Sequence, residues 1–156
     1  MERHFKLTDE TINHNGHTLH RIQALVDLPH HSVKAGDLGG FVEKEDNLVD
    51  EAWIFDNAKV YENAWVYASA KILDYAEIYG SAQVLDSALT HENAKIYGSA
   101  VVKENAIVSG SAQVYGEACV YELSVITGGA QVYGNARVHG KAIIGDSACI
   151  YGSAEI

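Results

Sequence analysis

From position 52 onward an alanine returns every six residues. Stepping from Ala52 to Ala154 meets 18 positions, and all are alanine except Ser124, which is nearly the same size. Two residues after each stands a second series, from Ile54 and Val60 to Ile150 and Ile156, aliphatic everywhere except Thr90. A small, an outward and a β-branched residue in that order have the period-two signature of a short strand with two side chains facing in. The second residue after the aliphatic is nearly always Gly, Asp or Glu and the third is usually Asn or Ser, as in Tyr79-Gly80-Ser81. These are corner residues, with Gly and Asn accepting positive φ. A strand of about three residues plus a corner, repeated without insertion, predicts a triangular solenoid with about 18 residues per coil. Gly40/Val42 and Asp46/Leu48 extend the spacing backward, so the repeat begins near Gly39.

Tandem repeats of the form A-x-[VI]-x-[GDE]-[NS] resemble the hexapeptide-repeat β-helix proteins. Taken with the preceding segment Val33-Lys34-Ala35-Gly36-Asp37-Leu38-Gly39-Gly40-Phe41-Val42, the pattern is similar to the YdcK-type branch, many of whose members come from bacteria and their phages. The resemblance covers roughly residues 33–156. It implies an all-β fold, a single-stranded left-handed parallel β-helix of about six coils; the hand comes from the resemblance alone, against the usual right-handed rule for parallel crossovers. Residues 1–38 are expected to form an N-terminal β-hairpin and strand cap and residues 39–156 the helix. Many acyltransferases of the hexapeptide type place glycine directly after the aliphatic residue, whereas here it stands one place later.

With about 18 residues per coil, residues 18 apart stack about 4.8 Å above one another. One corner then carries Tyr61, Tyr79, Tyr97, Tyr115, Tyr133 and Tyr151, read as a stacking ladder that stiffens the rod. The outward centre of one face is polar, with Lys59, Glu77, Lys95, Gln113, Gln131 and Cys149, and a second is mixed, with Trp65, Gln83, Val101, Cys119, Arg137 and Glu155. The third carries Trp53, Lys71, Leu89, Ile107, Val125 and Ile143. Contiguous aliphatics on an outer face mark a contact surface, so self-association into a dimer or trimer is expected through Trp53, Leu89, Ile107, Val125 and Ile143. Cover by the N-terminal segment is the competing explanation. Asp50, Asp86, Glu104 and Glu122 share one corner, and Asp56, Asp74, Glu92 and Asp146 another. Solvated corners suit acids, and the sharper reading of the first set is a site for a protein partner with a basic surface.

Residues 1–32 lack the repeat and hold six of the eight histidines. Asn15-Gly16 is a two-residue hairpin signal that sets His14 opposite His17. Ile22, Ala24, Val26 and Leu28 give the continuing strand an apolar side suited to covering the first coil, ended by Pro29. His14, His17 and His20 are the candidate metal ligands, although no cysteine or carboxylate cluster accompanies them, and no metal is expected. The chain stops at Ile156 in repeat register, which leaves the last coil to pair with another chain or stay exposed.

The formal charge is −10, and 16 of the 21 acids but only 7 of the 11 Lys and Arg follow Gly39. Direct binding to nucleic acid or anionic lipid is therefore not expected. No apolar run reaches the length of a signal or membrane segment, so a soluble cytoplasmic protein is expected. An acyl-CoA-dependent acyltransferase would need a histidine base: His91, which follows Thr90 and precedes Glu92, is the better candidate and His139 the other. No phosphate-binding glycine motif or nucleophile elbow is present, and no cofactor is expected. The leading expectation is a non-enzymatic binding or assembly scaffold. The alternatives are an acidic decoy of a nucleic-acid-binding host protein, encoded by a phage or mobile element, and the acyltransferase.

Overall fold

The structure is a computed structural model that describes residues 3–156. Its first strands are β1 (Phe5–His14), β2 (His17–Ala24) and β3 (Leu38–Val42), followed by the two-residue strands β4 (Trp53–Ile54), β5 (Lys59–Val60) and β6 (Trp65–Val66). Two-residue strands then recur every six residues to β20 (Cys149–Ile150). Each pairs in parallel with the strand 18 residues on, giving three sheets and about six coils. The ladder follows from the spacing: the Tyr79 N–H donates to the Ile96 carbonyl at 3.0 Å, and the Gln83 N–H to that of Ala100 at 2.9 Å. The parallel solenoid read from the repeat is the fold.

Inside, alanines alternate with Val or Ile because opposed sheets leave a thin core. Every alanine of the six-residue series from Ala52 to Ala136 is at most 2% exposed. Ser124 fits the column because its hydroxyl donates to the Tyr121 carbonyl at 2.7 Å. Thr90 is also fully buried, but its Oγ1 has no hydrogen-bond partner.

The corners differ from the sequence expectation in which residue takes positive φ. At six-residue intervals from Asp50 (56°) to Gly152 (66°), the turning residue is Asp, Glu, Gly or, once, Ala68 (58°), while Asn or Ser usually stands one place later. Acids are tolerated there because all but Glu92 and Asp146 reach along the rod with a carboxylate oxygen to a backbone N–H of the next coil. Asp86 accepts from Glu104 at 3.1 Å, Glu104 from Glu122 at 2.7 Å and Glu122 from Gly140 at 2.8 Å. Ala68 has no such side chain.

The N-terminal segment joins the solenoid through its backbone. The β1–β2 hairpin turns at Asn15 and Gly16 with His14 opposite His17, β2 pairs antiparallel with β3, and β3 pairs in parallel with β5. The hairpin thus extends the tyrosine-flanked sheet to nine strands. Gly40 permits this approach, since a β-carbon there would lie 2.6 Å from the Ala58 carbonyl oxygen. Two details depart from expectation. The β2 strand ends at Ala24, and Val26 is 45% exposed because the chain leaves the ladder for a loop closed by Leu28 and Val33. In the first coil Asp46 faces solvent on a 3-10 turn (Glu45–Asn47), and Asn47 is buried in its stead.

Candidate functional site

The aliphatic stripe is in strict register. Leu89 pairs with Ile107, Ile107 with Val125, and Val125 with Ile143. Leu89, Ile107 and Val125 are half-buried on this face, and Ile143 is 73% exposed. The two flanking corners differ over the same coils: on one the Ser109 hydroxyl donates to Thr127 Oγ1 at 3.1 Å, and on the other Glu104 and Glu122 stand beside Leu123, which is 52% exposed. Trp53 does not share this exposure. It is 1% exposed, in one core cluster with Phe5, Leu28 and Val33 from the N-terminal segment, and the His4 ring meets it edge-on at 6.1 Å. The segment therefore buries the stripe at Trp53 and its His30 and His31 stand over Lys71 and Leu89, while Ile107, Val125 and Ile143 lie beyond it.

Along the opposite corner, Tyr61, Tyr79, Tyr97, Tyr115 and Tyr133 stack with centroids 4.8–5.1 Å apart, and Tyr151 follows at 5.4 Å. The hydroxyls turn onto the polar face: Tyr97 donates to Gln113 at 2.7 Å and Tyr115 to Gln131 at 2.9 Å. Both ring faces of each inner tyrosine are thus occupied by its neighbours, and burial followed by the neighbouring Tyr97 pushes the Tyr79 phenol up to about 12.

The hairpin tip caps this ladder. The rings of His14 and His17 lie 5.5 and 5.3 Å from that of Tyr61. His14 Nε2 is 2.8 Å from Glu77 Oε1, which also accepts the Tyr61 hydroxyl at 2.9 Å, and His17 Nδ1 is 2.8 Å from Glu43 Oε2. Burial acts to raise the Glu77 carboxyl, but the hydrogen bonds from His14 and Tyr61 outweigh it and leave it below its ordinary value. His20 instead bonds the Thr8 carbonyl at 3.2 Å. The three histidines thus have separate partners and do not converge on one point.

The two repeat histidines are also apart, on corners that end different faces. His91 Nδ1 lies 3.8 Å from Asp74 and 3.9 Å from Glu92, while His139 stacks on Tyr121 and bonds Glu155 at 3.2 Å. The acidic corner of Asp50, Asp86, Glu104 and Glu122 is assembled as the spacing implied, with one oxygen of each carboxylate engaged by the next coil. Sequence reasoning missed Glu43, Glu77 and Asn47, each of which has at least one partner 15 or more residues away. Asn47 Oδ1 accepts the Glu43 and Lys44 N–H groups, and its amide donates to the Glu62 and Ala64 carbonyls. Cys119 and Cys149 lie on different faces with free thiols. No helix among the described residues is long and apolar enough to cross a membrane.

A comparison with curated proteins finds no match. Among family models, that described as the YdcK beta solenoid repeat matches residues 130–146, a stretch whose alanine, aliphatic and corner positions continue those of the preceding coils.

Proposed function

We propose that this chain, a YdcK-type repeat β-helix protein, is a non-enzymatic assembly scaffold that binds a second copy of itself through the face of Leu89, Ile107, Val125 and Ile143. One observation carries the reading: these four outward aliphatics follow one another without a charge, whereas the sheet beside the tyrosine ladder presents Lys59, Glu77 and Lys95 at the equivalent positions. Their repulsion from water favours burial, and a second copy offers the same rung spacing, so the strip is self-complementary. The contact is modest. Four rungs span about 14 Å, short of what the standard interface of about 800 Å² per partner needs. Association should therefore depend on concentration. Sedimentation should give a mass above one chain that falls on dilution, and Ile107→Lys with Val125→Lys should hold it at one chain without loss of β signal. A variant that associates like the parent would remove this face from the proposal.

The acidic corner supports a second reading, a decoy for a basic, nucleic-acid-binding partner, since Asp86, Glu104 and Glu122 stack in successive coils, Asp86 and Glu122 exposed and Glu104 partly so. Replacing Asp86, Glu104 and Glu122 together by amides should abolish such binding; undiminished binding would exclude the column.

A further inference from the structure

The N-terminal loop leaves a recess where it meets the aliphatic face. The loop is closed by paired Leu28 and Val33, and its 3-10 turn (Pro29–His31) ends at Ser32 in a left-handed conformation, φ 57°. His31 folds back beneath it, 6% exposed, with its ring 6.3 Å from that of Phe55. Both His31 ring nitrogens are buried without a hydrogen bond of good geometry, although the Glu51 backbone approaches the ring. Among the described residues the only other side-chain atom of this kind is Thr90 Oγ1. Leaving an imidazole unsatisfied is costly, and such groups persist where something else is to be bound.

The turn roofs a recess of about 460 Å³. Two adjacent rungs make its floor and wall: Ser69 and Lys71 on one, Ser87 and Leu89 on the next, with Glu51 at the upper end. Lys71 has no ionic partner within 4.0 Å among the described residues. An ammonium and two hydroxyls on one side of two rungs are hydrogen-bond donors suited to an oxygen-rich anion. We propose that this recess binds a small oxyanion, the carboxylate or phosphate group of a small molecule, held by Lys71, Ser69 and Ser87 under the Pro29–His31 turn. Glu51 repels negative charge from the upper end, which directs the anion toward Ser87 and lays the remainder of a ligand on Leu89. The His31 nitrogens lie beneath the surface, so they sense the anion through the Lys71 charge rather than by contact. Burial first, and then the nearby Lys71 charge, hold that imidazole below its ordinary range; an anion beside Lys71 relieves the second effect.

The test uses the full chain with inorganic phosphate, acetate and, at matched ionic strength, chloride, read by thermal unfolding and by the nitrogen resonances of the His31 ring. Expected is a saturable rise in Tm with a shift of the His31 resonances, absent with chloride and lost in Lys71→Met, whose circular dichroism matches the parent. Response to phosphate alone assigns a phosphoryl ligand, and response to acetate alone a carboxylate. No saturable response, an equal response to chloride, or an undiminished response in Lys71→Met would overturn the site.

Discussion

Replacing Thr90 by valine should make the protein more stable, although a polar residue is usually kept for a reason. Its side chain is fully buried between Ile72 and Val108 on adjacent rungs, and its hydroxyl has no partner. A buried hydroxyl without a hydrogen bond costs about 1–3 kcal/mol, and valine supplies the same shape with a methyl group in its place. A gain of about 1–2 kcal/mol follows, which for a chain of this size raises Tm by about 2–4 °C per kcal/mol. The assay is urea unfolding followed by two probes, because a solenoid loses coil-by-coil cooperativity easily and the free energy needs coincident transitions. Ser124→Ala is the control: that hydroxyl is bonded at 2.7 Å, so its removal should cost about 0.5–1.5 kcal/mol. Destabilisation by Thr90→Val comparable to that of Ser124→Ala would mean that the hydroxyl is bonded after all, as to an enclosed water.

Asn47→Ala removes four hydrogen bonds to the first coils and leaves backbone groups unpaired, so it should cost about 3 kcal/mol or more in the same unfolding assay. Ala68→Gly relieves a left-handed φ of 58° at a corner without a carboxylate, and should gain about 0.5–1 kcal/mol by urea titration. Glu77 and Glu43 have lowered folded-state values, so the stability they add is present above the ordinary 4.5 and is lost as pH falls through the lowered value. The stability difference between the parent and Glu77→Gln should therefore be largest near neutral pH and close in acid; a pH-independent difference would contradict the ionised pairing.

Much of the architecture was legible because it is local and repeated. Ala52 to Ala154 and their aliphatic partners fix which side chains face in, the interval of 18 fixes the stacks, and Asn15-Gly16 fixes the hairpin. The unread part depends on contacts between segments that share no period. Nothing near Leu38–Val42 announces antiparallel pairing to β2 on one edge and parallel pairing to Lys59–Val60 on the other. Trp53 belongs to the aliphatic column by spacing, yet the Leu28–Val33 loop and Phe5 cover it, and only the folded N-terminal segment shows that. The corner acids were legible as turn residues, but their bonds to the next coil needed the φ values. The stripe from Leu89 to Ile143 was legible as a surface because its members are 18 residues apart.

The most direct test of self-association through that stripe is methyl NMR with a soluble paramagnetic agent across a range of protein concentration. Self-association through the stripe requires that the methyls of Ile107, Val125 and Ile143 lose their relaxation enhancement as concentration rises, while the rings of Tyr97 and Tyr115 keep theirs. Enhancement at those methyls that does not change with concentration, or protection that develops on the tyrosine side instead, would contradict it.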